Sequence, residues 1–191
     1  MNDRELRFCD IELRIGEGEK PRIVGYAAVF NSLSGDLGGF REQISPGAFS
    51  DVLASGGEIL ALVNHDPKLV VGRRSAGTLV LREDAKGLFV EIDPPNTTVG
   101  RDLVENIRRQ DVKGMSFMFK NPISTWERRG NERIRTISKI GMMPEVTFTA
   151  IPAYEATSAD VRSHLDQFDR EDKATPRRDA ARRRLRLLAA K

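Results

Sequence analysis

The feature of this sequence that most constrains its fold is a succession of short apolar runs, each of strand length. Turn-forming residues separate the runs, as at Asp84–Gly87 and Arg129–Asn131. Runs of this kind with such separators are typical of β-strands. The pattern therefore predicts a mainly β fold with peripheral helices (α+β), in which the sheet forms a closed or partly open β-barrel. The predicted strands cover residues 6–15, 23–30, 59–63, 69–71, 78–81, 88–92, 115–119, 123–127, 133–140 and 146–151.

Three segments carry helix signals instead. Ser45 and Pro46 suit the cap and the first position of a helix. Thr97 or Thr98 is placed to cap a second helix over residues 99–109, whose apolar side chains recur every four residues. A short third helix is predicted over residues 157–168.

Charge divides the chain into two parts. The 191 residues carry a formal charge of +3, but the stretch from Arg170 to Lys191 has nine basic and three acidic residues, so it alone carries +6. The remainder is slightly acidic. We therefore predict one folded domain over residues 1–168 and a basic, flexible tail over residues 169–191. The tail is either a solvated extension or an arm that contacts nucleic acid or an acidic scaffold surface.

Several function classes find no support in the sequence. Cys9 is the one cysteine, which excludes an internal disulfide and a multi-cysteine zinc site. The two histidines, His65 and His164, are far apart, so no metal site and no cofactor is predicted. The charged N-terminus lacks the apolar core of a signal peptide, and no run reaches the length of a membrane span.

Three residues could carry chemistry, although each alone has a more ordinary interpretation. His65 follows an apolar strand, where it is either a turn residue or a general base. Ser116 lies among large apolar residues, where it either bonds to the backbone or acts as a nucleophile on a rigid strand. Glu145 opens a strand, where it is either solvated or placed to orient an imidazole.

Taken together and in order, these segments resemble the prohead (capsid maturation) serine proteases of tailed bacteriophages, which are related to the assemblin-type proteases of herpesviruses. The resemblance covers about residues 5–165. The stretches that carry it are GYAAVFN from residue 25, ISPGAF from 44, LVNHD from 62, GRRSAGTLVL from 72, GMSFMF from 114 and EVTFTAIPAY from 145.

The resemblance implies a barrel of the herpesvirus-protease type, with Ser116 as nucleophile and His65 as general base. The third catalytic position falls near Glu145, with Asp66 and His164 as alternatives. No arginine pair follows Glu145 in the way the herpesvirus enzymes imply, so the oxyanion donors are unassigned.

The resemblance also implies where the enzyme works and on what. The substrates would be the major capsid protein or its scaffold segment, and the protease itself, inside the prohead in the host cytoplasm. A homodimer is left open. The alternatives are a non-catalytic β-barrel protein that binds capsid or scaffold, and a metal-dependent hydrolase using His65 and Asp66.

Overall fold

A computed structural model describes residues 4–10, 13–16, 21–150 and 165–171. The chain divides into two compact units, Met1–Ala156 and Thr157–Lys191. The described residues of the first unit form ten strands and two helices, and those of the second are helical over residues 165–171. The remainder of the predicted third helix and nearly all of the tail lie outside the described residues. No helix in the described ranges is long and apolar enough to cross a membrane.

The strands of the first unit form two sheets. The larger has six strands in the order β1-β9-β10-β5-β6, with β4 also paired to β10, and the smaller has the order β2-β3-β8-β7. The fold is thus mainly β with few helices. The described strands form two sheets rather than one closed barrel, which corrects that part of the prediction. The strands are β1 (Glu5–Asp10), β2 (Arg14–Gly16), β3 (Arg22–Val29), β4 (Arg41–Ile44), β5 (Leu60–Val63), β6 (Asp66–Arg73), β7 (Leu79–Glu83), β8 (Gly87–Ile92), β9 (Gly114–Arg129) and β10 (Glu132–Thr149).

Strands β9 and β10 are the frame of the larger sheet. They form one long antiparallel hairpin of 16 and 18 residues, where the sequence predicted four shorter strands. Apolar side chains alternate along the first half of β9, so Met115, Phe117 and Phe119 face the core. Ser116 points to the opposite face of the sheet. Strand β5 runs parallel to β10 on the side away from β9.

The two helices pack on the same core. Helix α2 (Thr98–Arg108) begins as predicted, because the Thr97 side chain accepts a hydrogen bond from the backbone N–H of Gly100. Helix α1 (Ser50–Ala54) begins later than predicted. Gly47 has φ of +88°, which interrupts a helix started at Pro46, and the carboxylate of Glu83 then accepts from the backbone N–H of Phe49 at 3.2 Å.

Candidate active site

The turn between β5 and β6 presents the first predicted site residue. Asn64 and His65 form a two-residue turn with φ of 52° and 58°, and Val63 pairs with Asp66 across it. Positive φ at both central residues is the geometry of a type I′ hairpin turn, in which glycine or asparagine is usual. A histidine held in this left-handed region costs about 1–2 kcal/mol. Such strain concentrates at functional sites.

Strand β10 holds this turn through two backbone N–H groups. The N–H of Asn64 donates to the Phe148 carbonyl oxygen at 3.0 Å. The N–H of His65 donates to the Thr147 side-chain Oγ1, also at 3.0 Å. The chain therefore folds back over β10 immediately after β5 ends. This path brings the imidazole of His65 toward Glu145, the first residue of β10 that pairs with β5.

The imidazole meets a carboxylate there. His65 Nδ1 lies 2.6 Å from Glu145 Oε1, and both side chains are largely buried. An ionised carboxylate only accepts hydrogen bonds, so in this pair Nδ1 carries the hydrogen and donates it to Glu145. The lone pair of a neutral imidazole then resides on Nε2. That nitrogen is buried and has no hydrogen-bond partner.

Ser116 lies on the same face of the larger sheet as Glu145. It pairs with Thr147 across β9 and β10, while Met118 pairs with Glu145 two residues further along. Residues directly opposite one another in a sheet project to the same face. Ser116 is 0% exposed, and its Oγ has no hydrogen-bond partner.

Two atoms in the described part of the chain share this condition. Among the buried side-chain nitrogen and oxygen atoms of the described residues, only His65 Nε2 and Ser116 Oγ lack a partner. Buried polar atoms are nearly always hydrogen-bonded, and an unpaired one costs about 1–3 kcal/mol. The two exceptions are therefore informative, since both belong to residues that the sequence singled out, although the two atoms are not hydrogen-bonded to each other.

The other predicted candidates stand differently. Asp66 uses its Oδ1 to accept from the backbone N–H of Lys68 at 2.8 Å, as a residue that stabilises a turn does. His164 lies outside the described residues. Within the described ranges, no group of three or more His, Cys, Asp or Glu side chains is arranged to hold a metal ion.

A cleft of about 1000 Å³ lies elsewhere in the first unit, between β6 and α2. Its lining includes Val70, Gly72, Pro95 and Arg101, and none of the three site residues. The cleft is therefore separate from the histidine–carboxylate pair and from the two unpartnered polar atoms.

One residue of the site escaped the sequence analysis. Thr147 is 0% exposed and contacts the backbone of the His65 turn through its hydroxyl. A threonine in an apolar strand is common, so nothing in the sequence distinguished it. The signal that could have found it is positional, since Thr147 shares a strand face with Glu145 at a spacing of two.

A serine, and a histidine paired with a carboxylate, are the kinds of side chain that serine peptidases use. The sequence model of the caudovirus prohead serine proteases matches residues 9–171, so the chain belongs to that family. The prohead protease of Enterobacteria phage HK97 is 28% identical over 170 residues, which cover 87% of this chain and 71% of that protein. The bacteriophage T4 capsid assembly protease has a similar structure, with a TM-score of 0.49 at 13% identity over 78% of this chain and 99% of that one.

Proposed function

We propose that this prohead serine protease cleaves peptide bonds with Ser116 as nucleophile, His65 as general base and Glu145 as the residue that orients the imidazole. The observation that supports it most is the 2.6 Å contact between His65 Nδ1 and Glu145 Oε1. The other ring nitrogen, Nε2, has no hydrogen-bond partner, and neither does the Ser116 hydroxyl. A base oriented by a carboxylate and a serine in need of a base are the components of a catalytic triad.

The proposed reaction is acyl transfer in two steps. His65 Nε2 takes the proton of Ser116 as Oγ attacks the peptide carbonyl, and the resulting imidazolium gives that proton to the leaving amine. Water then attacks the acyl-serine ester with His65 again as base, which releases the acid product and restores the serine. Glu145 stabilises the imidazolium throughout. Because Ser116 is 0% exposed, the atoms that cover it must move before a carbonyl reaches Oγ.

The contacts favour Glu145 over Asp66 as third residue. Glu145 contacts the imidazole itself, whereas the Asp66 carboxylate accepts from a backbone N–H of its own turn. A glutamate differs from the second histidine used in the herpesvirus enzymes, but an anion at this position does the same work of holding one tautomer.

We further propose the setting of the reaction. The protease acts inside the prohead, in the host cytoplasm, on the major capsid protein or its scaffold segment, and on its own chain. Membership of the prohead protease family supports this substrate class. The catalytic domain ends near residue 168. The basic stretch after it tethers the enzyme to an acidic partner or is removed by self-cleavage. A homodimer would contain two such active sites.

The relationship to the herpesvirus-type barrel is also a proposal. Contacts between β3 of the smaller sheet and both β1 and β9 of the larger one bring the two sheets onto one core. A crystal structure of this chain, superposed on a herpesvirus protease, would test this relationship.

The experiment that tests the proposed triad uses the substrate. The chain is co-expressed with the capsid protein from the same phage, as wild type and as Ser116→Ala, His65→Ala and Glu145→Gln. We expect fragments of the capsid protein from the wild type, none from the first two variants, and a rate reduced by about 10²–10⁴ in Glu145→Gln, since the correct tautomer is no longer held.

Arg73→Ala serves as the matched control, because its exposed ion pair with Glu58 lies away from the site. It should cleave at the wild-type rate. Unchanged fragments from Ser116→Ala would exclude Ser116 as the nucleophile. Fragment termini read by mass spectrometry also give the cleavage sequence for a peptide substrate.

A further inference from the structure

Thr147 stands between the proposed nucleophile and the proposed base. On one side it pairs with Ser116 of β9, and on the other with Leu62 of β5. Strand β5 leads within two residues to the turn that carries His65. Neighbouring strands are about 4.8 Å apart. Thr147 is the residue of β10 that lies between Ser116 and the strand leading to the His65 turn, so it helps to determine the distance between them.

The hydroxyl of Thr147 acts on the turn directly. Its Oγ1 accepts the hydrogen bond of the His65 backbone N–H at 3.0 Å. The neighbouring N–H, that of Asn64, is held by a backbone carbonyl, which no substitution of a side chain removes. The His65 N–H thus depends on a side chain for its acceptor. His65 also holds a φ of 58°, a strained conformation that persists only where the surroundings impose it.

We propose that Thr147 is a positioning residue, which places the His65 imidazole for proton transfer by fixing the backbone of its turn. The inference rests on the proposed roles of Ser116, His65 and Glu145. Without the hydroxyl the turn relaxes, and the imidazole shifts relative to both Glu145 and Ser116. A misplacement of about 1 Å in a catalytic group can cost about 100-fold in rate.

The test compares Thr147→Val, Thr147→Cys and Thr147→Ser. Valine keeps the shape and removes the acceptor, cysteine offers a weak acceptor, and serine restores the hydroxyl. With a peptide spanning the mapped cleavage site, we expect kcat to fall about 10- to 100-fold in Thr147→Val. Thr147→Cys should be intermediate and Thr147→Ser close to wild type, with KM changed little in all three.

A second measurement reports the imidazole itself. The Nδ1 hydrogen that His65 shares with Glu145 in a short, charge-assisted bond should give a far-downfield proton resonance. That resonance should weaken in Thr147→Val and persist in Thr147→Ser. Thr136→Val is the matched control, because Thr136 also lies on β10 and accepts a side-chain hydrogen bond, from Gln43 at 3.0 Å, at a distance from the His65 turn. It should alter neither readout.

The outcomes separate this inference from the proposed triad. Wild-type kcat in Thr147→Val, with His65→Ala inactive, overturns the role of Thr147 and leaves the triad intact. Activity in His65→Ala overturns the triad itself. A loss in Thr147→Val that Thr147→Ser does not restore, with the resonance unchanged, would mean that Thr147 contributes packing only. Should Thr147→Val not fold, the ranking of Ser, Cys and wild type decides the same question.

Discussion

The turn that carries His65 combines two residues in the left-handed region with a side chain that the chemistry needs. Glycine would fit both positions of a type I′ turn at lower cost, and asparagine tolerates the first of them. The turn therefore has a favourable residue, Asn64, at its first position and a less favourable one, His65, at its second. The exposed side chain of Asn64 makes it the position at which backbone preference can be varied without altering the imidazole.

Substitutions of Asn64 should separate backbone from side-chain effects. Asn64→Gly keeps the left-handed conformation accessible, so stability and activity should stay near wild type. Asn64→Ala places a β-carbon in that conformation and should lower the free energy of unfolding by about 1 kcal/mol. Its kcat should fall as well, because the turn that presents His65 is loosened. Urea unfolding and peptide cleavage measure the two effects, and equal behaviour of Ala and Gly would contradict the argument.

At this scale, the sequence identified candidates but not their contacts. His65, Ser116 and Glu145 were each more ordinary than catalytic when considered alone, and the ordered resemblance to a family drew them together. Their roles stay predictions until variants are assayed. Thr147 could not be found in this way, because its importance lies in a hydrogen bond to a residue 82 positions away in the chain.

Elements were predicted well in type and less well in extent. The sequence predicted separate strands on either side of Pro122 and of Pro144, whereas each of these prolines lies within one long strand. Proline has no N–H to donate to a ladder of hydrogen bonds and is usually found at edges or bulges. In the structure Pro144 falls within a register shift between Met142 and Glu145, where the pairing is irregular and its missing N–H is tolerated. Pro144 thus lies at an irregularity within one long hairpin rather than at the end of a strand.

Helix α2 shows how a close approach can override intrinsic preference. A β-carbon on Gly100 would lie 2.0 Å from the carbonyl oxygen of Pro95, which is backbone and cannot rotate away. Gly100→Ala should therefore destabilise the protein, although alanine favours a helix by about 1 kcal/mol over glycine. Thermal unfolding measures this. Asn106→Ala, at an exposed position of the same helix, is the control and should be neutral or stabilising; a stabilising Gly100→Ala would show that Pro95 moves readily.

On the scale of the whole molecule, a buried cluster of four charges joins three strands of the larger sheet. Arg135 donates to Glu5 at 2.6 Å and to Glu42 at 2.9 Å, and Arg7 contacts the same two carboxylates. The four come from β1, β4 and β10, so the cluster fastens the N-terminal strand beside β9, which carries Ser116. The sequence did not predict it, because charged residues alternating in a strand are usually solvated.

The cluster makes stability depend on pH in a defined direction. Burial alone would raise the pKa of Glu5, but the hydrogen bond and charge of Arg135, together with Arg7, hold that pKa below its ordinary value of 4.5. A carboxyl with a depressed native pKa contributes stability that is fully present above its unfolded pKa and is lost as pH falls through the native value. Glu5 should therefore contribute fully at neutral pH and progressively less below about pH 4.5.

Glu5→Gln should remove this contribution. At pH 7 the variant leaves excess buried positive charge beside Glu42, so we expect a loss of about 3 kcal/mol in the free energy of unfolding, a large part of the 5–15 kcal/mol that domains commonly have. The difference from wild type should shrink as pH falls below 4.5, because the wild-type carboxyl then becomes protonated.

Glu58→Gln is the control. Glu58 also has a lowered pKa, but its ion pair with Arg73 is exposed, so water and salt screen it. A pH-independent difference for Glu5→Gln, or an equal loss in Glu58→Gln, would show that the buried cluster does not anchor β1 through its charge.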